Sequence, residues 1–336
     1  MILGVLPGAR PADGGRPTAR LGDLPEPGFS SREVLVEVRA TALNRADLLQ
    51  LRGLYPPPPG ETEIPGLECA GVVREVGAEV EGWSPGDRVM ALLAGGGHAE
   101  RVAVPAGQLM ELPGDLSFEE GAALPEACLT AWTNLVVEGG LSPEPEGNAE
   151  RSVLITGATG GMGTMAVQVA RQLGARVLAA GRSPDRLEPL RALGADVLVV
   201  AGEGLADRVR EETGGRGVDL VFDLVSGEHL DRHLSALRDR GRLVLVGLMA
   251  GPRTRVDLAQ VLRRRLTIVG SVLRARSRDE KARLVSGFAA FAGERLADGR
   301  IRPVIDRVLP FAEIADAYRA LEAGGVAGKV VLRMRG

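Results

Sequence analysis

Apolar and polar positions change rhythm along this chain, and the first rhythm is that of strands. From 33 to 41, Val34, Val36 and Val38 alternate with Glu33, Leu35, Glu37 and Arg39, the period-two spacing of a half-buried strand. Further β-rich runs at 69–76, 88–93 and 100–104 are separated by Gly77, Gly82 and the turn Ser84-Pro85-Gly86-Asp87, so the opening part reads as a Gly/Pro-punctuated β domain. The run Pro56-Pro57-Pro58-Pro59-Gly60 fits neither helix nor central strand and sets Tyr55 at the lip of a stiff loop, a suitable pocket wall.

After Leu116 the texture turns helical. Ser117 is placed to cap a helix with Glu119 and Glu120 in its first turn, and 130–137 carries an apolar helical stripe. From Ser152 strands and helices alternate, with strands expected at 153–156, 177–180, 197–200, 220–224, 243–247 and 267–272. Amphipathic, helix-length segments separate most of them, which predicts an α/β fold built on a doubly wound parallel sheet with right-handed crossovers. From Asp279 the chain starts helical and closes with short runs at 307–310 and 328–332, which suggests a return to the first domain. The expected division is 1–125 with 276–336, and 126–275.

Composition narrows the classes. A chain of 336 residues with 45% hydrophobic and 25% charged positions is a folded body of about two domains. Forty-one cations against 44 anions give −3, so no general positive field exists for phosphate backbones, and bulk nucleic-acid binding is not expected. The basic runs 263–265 and 274–278 then read as solvated helix ends, or as partners of acids across a dimer, in preference to nucleic-acid contacts. Lysine occurs only at Lys281 and Lys329, so arginine does most of the anion binding. Two cysteines, Cys69 and Cys128, are too few for a disulfide framework or a thiolate zinc site; they read as small core residues and suit a reducing cytoplasm. Residues 1–17 resemble no signal peptide, and no apolar run reaches membrane-spanning length.

The strand Val153-Leu154-Ile155-Thr156 runs into Gly157-Ala158-Thr159-Gly160-Gly161-Met162-Gly163 and then the helical stripe Ala166, Val167, Val169 and Ala170. Glycines let a backbone turn sharply and approach a pyrophosphate, and free amides at a helix start point toward its charge. A glycine cluster can also be a bare tight turn; the strand-turn-helix context favours a dinucleotide site. The next strand ends in Gly181-Arg182-Ser183-Pro184-Asp185-Arg186, where an NAD-selective site would place a carboxylate for the ribose hydroxyls. Arg182 and Arg186 suit a 2′-phosphate, with Ser183 as a further donor, so NADPH is the expected cofactor. The competing reading is a solvated basic helix start, and Asp185 is expected to face water.

Other constellations read more weakly. Glu228-His229 and His233 put two imidazoles one helical turn apart, but without an evident third ligand they read as a solvated face. Ser226-Gly227 lacks the strand-turn-helix context of a hydrolase nucleophile.

A β domain, a nucleotide domain and a terminal return to the first together resemble the medium-chain dehydrogenase/reductase superfamily, over nearly the whole chain. That resemblance implies a GroES-like, partly closed β-barrel domain beside the Rossmann domain, with nicotinamide in their cleft. The zinc alcohol dehydrogenases of the superfamily place a cysteine where this chain has Asn44 and a histidine where it has Leu67, and they carry a four-cysteine lobe that is absent here, so no metal site is expected. Ala42-Leu43-Asn44-Arg45-Ala46-Asp47-Leu48, Gly53-Leu54-Tyr55-Pro56-Pro57-Pro58 and Gly95-Gly96-Gly97 resemble the zinc-independent quinone oxidoreductases. Leu124-Pro125-Glu126-Ala127, Gly247-Leu248-Met249 and Ser271-Val272-Leu273-Arg274-Ala275-Arg276 narrow the resemblance to the subgroup of the tumour-suppressor-inducible quinone reductase.

The resemblance implies NADPH-dependent reduction of quinones by a cytosolic homodimer, with 267–272 pairing edge to edge with its twin. Asn44, Tyr55 and Thr130 match positions lining the nicotinamide and substrate cleft; Leu248, Met249 and Leu273 match segments bordering nicotinamide, with Leu224 on the cofactor side. Arg186 matches a phosphate-binding lysine, and Lys329 a basic position near the cofactor phosphates. Ala201 stands where bacterial relatives often have a tyrosine near the adenine. Without a metal, quinones or activated alkenes are favoured over simple ketones, whose alkoxides need a Lewis or dedicated acid. Tyr55 is placed to hydrogen-bond a quinone oxygen, or else simply packs the proline loop, and Asn44 and Thr130 to hold carboxamide or ribose. The competing functions are a 2-alkenal or enoyl-thioester reductase, and a catalytically idle NADPH-binding protein with a structural, redox-sensing or RNA-binding role.

Overall fold

A computed structural model describes residues 1–7 and 19–335. The chain divides into two compact units, Met1–Leu129 with Leu273–Gly336, and Thr130–Val272. Both crossings lie a few residues from the expected ones.

The first unit opens with an antiparallel hairpin, β1 (Ile2–Pro7) and β2 (Ala19–Leu24), which the hydrophobic pattern did not disclose. There follow β3 (Glu33–Ala42), helix α1 (Arg45–Leu51), β4 (Glu68–Val76), β5 (Arg88–Leu92), β6 (Arg101–Pro105), β7 (Leu109–Glu111) and α2 (Phe118–Ala122). Strand β3 is the hub: β4 runs antiparallel along one side, and β6 pairs with its first half on the other. The alternating valines Val34, Val36 and Val38 are buried with Val73, Val89, Val102 and Val104 in one apolar cluster. Ser117 caps α2 as expected: Glu120 N donates to its hydroxyl at 3.2 Å, and Ser117 N donates to the Glu120 carboxylate at 2.9 Å. Helix α3 (Pro125–Trp132) then carries the chain into the second unit.

The second unit holds β8 (Ser152–Ile155), α4 (Gly161–Gln172), β9 (Arg176–Gly181), α5 (Pro184–Leu187), β10 (Val197–Val200), α6 (Leu205–Glu212), β11 (Val218–Asp223), α7 (Leu230–Ser235), β12 (Leu237–Leu245), α8 (Leu258–Arg264) and β13 (Thr267–Gly270). All six strands are parallel, in the order β10-β9-β8-β11-β12-β13. The order reverses between β8 and β11, the switch point at which such sheets leave a crevice. Each expected strand of this unit is present to within a few residues at most ends; β12 begins six residues before its expected start at 243, in a register-shifted stretch.

The chain returns through α9 (Arg278–Ala297), β14 (Ile305–Pro310), α10 (Ile314–Ala323) and β15 (Lys329–Arg333), the last pairing antiparallel with the end of β3. Gly328 makes this return possible, with φ +95° and the Val304 carbonyl only 2.2 Å from where a Cβ would sit. Lys329 Nζ lies 2.5 Å from Glu68 Oε1 at the start of β4, and the two side chains are 6% and 0% exposed. Among the described residues no helix is long and apolar enough to cross a membrane.

Removing one partner of a fully buried ion pair strands the other charge. Lys329→Met is expected to lower the stability of the first unit by roughly 3–5 kcal/mol in denaturant titration, and the Lys329→Met, Glu68→Gln double variant to recover most of that loss.

Candidate active site

The glycine turn sits at the switch point of the parallel sheet. Gly157 has φ +64°, and a Cβ there would touch Leu224 and Val225 of the loop after β11 at 3.4 Å. Gly163 lies in the first turn of α4, where a Cβ would fall 2.5 Å from the Ala158 Cα and the Gly157 carbonyl. At Gly160 the nearest atom to an added Cβ is 3.9 Å away, so this position is bare without a packing need in the folded chain. One glycine thus serves the turn, one serves helix packing, and one keeps a surface low at the start of a helix whose free amides attract anions.

Strand β9 ends at Gly181, and Arg182, Ser183 and Arg186 follow around the short α5, with Arg182 exposed and Ser183 and Arg186 half-buried. Asp185 is exposed, as expected. No carboxylate occupies the end of β9. Leu224 is buried after β11, whereas Leu248 and Met249 after β12 are 54% and 52% exposed, an apolar surface uncovered in the chain alone. Thr130 is buried, and its carbonyl accepts from Asn134 Nδ2 at 2.8 Å.

Asp223, buried at the end of β11, organises this side of the crevice. One carboxylate oxygen accepts from Thr156 Oγ1 (2.7 Å), Val225 N and Ser226 N (3.0 Å each); the other accepts from Ser226 Oγ (3.1 Å) and pairs with His233 Nδ1 (3.0 Å). These bonds, the His233 bond first among them, outweigh burial and hold the Asp223 pKa below its ordinary value. Two expectations are corrected here. His233 is buried at 3% exposure and hydrogen-bonded to Asp223, not on a solvated face. Ser226 does follow a strand and precede a helix, with φ +50°, but its hydroxyl donates to Asp223 and is 2% exposed, so it is a loop-ordering residue.

In the first unit the expected residues converge on a polar cluster. Lys329 Nζ donates to Glu68 Oε1 and to Asn44 Oδ1 (2.7 Å), and Asn44 Nδ2 donates to Glu68 Oε1 (2.8 Å). The Lys329 ammonium is therefore neutralised inside its own unit, and Asn44 commits both ends of its amide to this clamp. Asn44 also caps α1, donating its backbone N–H to Asp47 Oδ2 at 2.7 Å, while Asp47 Oδ1 accepts from Gly66 N at 3.1 Å. Thr41 gives its one proton to the Glu68 carbonyl, so the 3.0 Å contact to His98 is a bond donated by Nδ1–H. Glu126, in the first turn of α3, donates its backbone N–H to Glu68 Oε2 at 2.9 Å.

Tyr55 is half-buried, and burial first, then the nearby Glu126 carboxyl, push its phenol above the usual range, so it remains a donor at neutral pH. Arg274, beside the buried Leu273, holds it in place. Its Nε donates to the Ala94 carbonyl (2.7 Å), Nη1 to the Tyr55 carbonyl (3.1 Å) and Nη2 to Gln50 Oε1 (2.8 Å), with the guanidinium 5.3 Å from the centre of the Tyr55 ring. Arg274 is 3% exposed, which corrects its reading as part of a solvated basic run. Arg264 likewise donates to the Leu234 and Leu237 carbonyls. Neither Arg274 nor Glu126 stands out in the sequence as a site residue.

Comparison with known proteins fits this geometry. Residues 30–114 match the alcohol dehydrogenase GroES-like domain, and 161–289 match the family described as zinc-binding dehydrogenase. The chain is 38% identical to the quinone oxidoreductase of Thermus thermophilus, solved also in complex with NADPH, covering 99% of this chain and 100% of that one with a TM-score of 0.80. It is 29% identical to the quinone oxidoreductase of Lama guanicoe over 93% of this chain and 92% of the other. It also matches the hybrid PKS-NRPS synthetase pyvA of Aspergillus violaceofuscus at 34% identity over 89% of this chain, but spans only 8% of that synthetase.

The residues present do not fit the zinc of the family description. Among the described residues no group of three or more His, Cys, Asp or Glu converges to hold a metal ion, and burial pushes the Cys69 and Cys128 thiols far from the thiolate form. They do fit a nicotinamide dinucleotide, for which Gly160 leaves the turn open at the switch point. With a GroES-like unit, a six-stranded Rossmann sheet and relatives matched over their full length, the chain belongs to the medium-chain dehydrogenase/reductase superfamily of nicotinamide-dependent oxidoreductases.

Proposed function

We propose that the chain is an NADPH-dependent quinone oxidoreductase that works without zinc. The observation that carries the cofactor half is the end of β9, where Arg182, Ser183 and Arg186 stand and no carboxylate does. Two guanidinium groups and a hydroxyl suit a 2′-phosphate, and a carboxylate there would repel it. The acceptor half is supported by the quinone oxidoreductases among its relatives. The assignment to the tumour-suppressor-inducible subgroup is part of this proposal.

When bound, NADPH supplies a hydride. The protein aligns the partners and excludes water. Gly157, Ala158, Gly160, Gly161, Met162 and Gly163 receive the pyrophosphate; Gly181 lets the backbone pass close to the ribose, and Leu224, Leu248 and Met249 supply apolar contact to the nicotinamide half. Tyr55, protonated and fixed by Arg274, donates to a quinone oxygen, with Leu273 next to Arg274 in the same unit, and Thr130 in the second unit serves the carboxamide or ribose. Asn44 and Lys329 act by holding Glu68. A reduced quinone is a weakly basic phenolate, so no Lewis acid is required.

Reduction of a conjugated double bond, in a 2-alkenal or an enoyl thioester, is the second reading, since it uses the same hydride donor on a carbon acceptor. Specificity constants for quinones against alkenals and enoyl thioesters separate the two. A homodimer in the cytoplasm completes the proposal: β13 is the edge of its sheet, with Ile268 40% and Val272 48% exposed, and open edges invite pairing with a second copy.

Three outcomes are expected. Arg182→Ala and Arg186→Ala each lower kcat/KM for NADPH by roughly 10- to 100-fold, the worth of a charge-assisted hydrogen bond, and leave NADH turnover nearly unchanged; equal losses with both cofactors would contradict the phosphate assignment. Gly160→Ala keeps the melting temperature of the wild type while weakening NADPH binding by about tenfold or more, whereas Gly163→Ala loses stability through overpacking of roughly 1–3 kcal/mol. Light scattering gives twice the chain mass, and Ile268→Lys on the sheet edge shifts it toward one.

A further inference from the structure

Among the described residues other than glycine, Ser226, Arg240 and Arg265 have a positive φ, and of these Ser226 alone is buried. Its backbone lies at φ +50° and ψ −136°, and Gly227 follows at φ +56°. A residue with a Cβ is strained in such a conformation and keeps it only where its neighbours over-determine it. Here Asp223 takes the Ser226 amide on one carboxylate oxygen (3.0 Å) and the Ser226 hydroxyl on the other (3.1 Å), and His233 bonds that second oxygen from α7. The hydroxyl supplies a bond that an alanine could not.

The loop held in this way meets a neighbour on each side, at the C-terminal ends of the parallel strands. Toward β8, Thr156 Oγ1 donates to Asp223 Oδ1 (2.7 Å) and accepts from Leu224 N (3.0 Å), and a Cβ on Gly157 would meet Leu224 and Val225 at 3.4 Å. Toward β12, the Asp223 carbonyl accepts from Val246 N (2.9 Å) and Gly247 N (3.1 Å), and the Val225 carbonyl accepts from Ala250 N (2.9 Å), so the bonds fall on both sides of Leu248 and Met249. A Cβ on Gly227 would strike the Ala250 carbonyl, which leaves the left-handed pair no room to shift that way.

We propose, resting on the dinucleotide-binding reading above, that Ser226 is a positioning residue for the nicotinamide cofactor. By locking the loop after β11 against Asp223 in a glycine-type conformation, it sets the glycine turn on one side and the 247–249 loop on the other in a single geometry. It touches no cofactor atom in this role, since its hydroxyl is committed to Asp223 and the residue is 2% exposed. With an ordinary φ, Ser226 would withdraw its amide from Asp223 and carry Leu224 and Val225 away from Gly157. The strip that receives the pyrophosphate would then have to be re-formed at each binding event, and affinity would fall by the fraction of time spent relaxed.

The test is calorimetric titration of NADPH and of NADH into the wild type, Ser226→Ala, Ser226→Gly and Thr156→Val. Ser226→Ala keeps the strain and loses the hydroxyl bond, so both nucleotides should bind about tenfold more weakly. Ser226→Gly loses the same hydroxyl but takes a positive φ freely, and should recover most of that loss. Thr156→Val removes the other end of the tether and should weaken both nucleotides as well; combined with Ser226→Ala it should lose less than the product of the two single effects, because both act through one loop. Equal losses in Ser226→Ala and Ser226→Gly, wild-type affinity in Ser226→Ala, or a loss confined to NADPH overturns the proposal. Should Ser226→Ala fail to fold, Thr156→Val decides in its place, with wild-type affinity for the two nucleotides as the overturning result. If the wild type binds neither nucleotide, the cofactor reading fails and the lock with it; if it binds NADH as tightly as NADPH, only the phosphate assignment fails, because the lock acts on both alike.

Discussion

Glu68 is the charge around which the first unit is arranged. With none of it exposed, its carboxylate needs a cation and donors, and the chain supplies them from three separate places: Lys329 on β15, Asn44 before α1 and the Glu126 amide on α3, while the Thr41 hydroxyl donates to the backbone carbonyl of the same residue. A buried pair of this kind contributes little net stability over a well-packed apolar pair. What it does is fix position. The strand that returns from the far end of the chain must meet β3 and β4 at one register for the ammonium to reach Glu68, and α1 and α3 must begin where their amides meet carboxylates.

The second unit rests on a different constraint, the absence of side chains at the switch point. The turn after β8 and the loop after β11 approach so closely at Gly157 that a Cβ there would meet Leu224 and Val225 at 3.4 Å, and Asp223 holds that loop by accepting from its backbone and side-chain donors. The helix α4 can then start with its amides uncovered. Preorganisation here comes from rigid neighbours on both sides of an open strip, so that a dinucleotide would meet a surface whose conformational cost has been met during folding.

Much of this was legible in the sequence. The valine alternation of β3, the six strands of the nucleotide unit, the glycine turn and the late return all rest on local patterns with a fixed period or a fixed turn chemistry. The hairpin β1–β2 was missed because Leu3, Gly4 and Val5 against Gly22 and Asp23 show no clean alternation, and β7 because three residues carry no period at all. Arg274 was misread for a deeper reason. Its acceptors are Ala94, Tyr55 and Gln50, each about two hundred positions away in the chain, and nothing local separates a buried guanidinium from a solvated one. The same holds for Glu126, visible only as one letter of Leu124-Pro125-Glu126-Ala127 until Glu68 and Lys329 are placed beside it.

One signal in the composition did point to these interior charges. In a chain whose cations are almost all arginine, the only lysines are Lys281 and Lys329, and both are buried, at 2% and 5% exposure. A guanidinium is broad, planar and carries five donors, each of which must find an acceptor when water is excluded; an ammonium is compact and can be satisfied by two or three oxygens at a point. Glu68 Oε1 and Asn44 Oδ1 form such a point, whereas the three well-separated acceptors around Arg274 fit a planar fork. The choice of cation thus reports the geometry of the oxygens that surround it. At Lys329 a compact ammonium meets two oxygens at a point, and at Arg274 a planar fork meets three acceptors spread around it, so each cation matches the oxygens it has to satisfy.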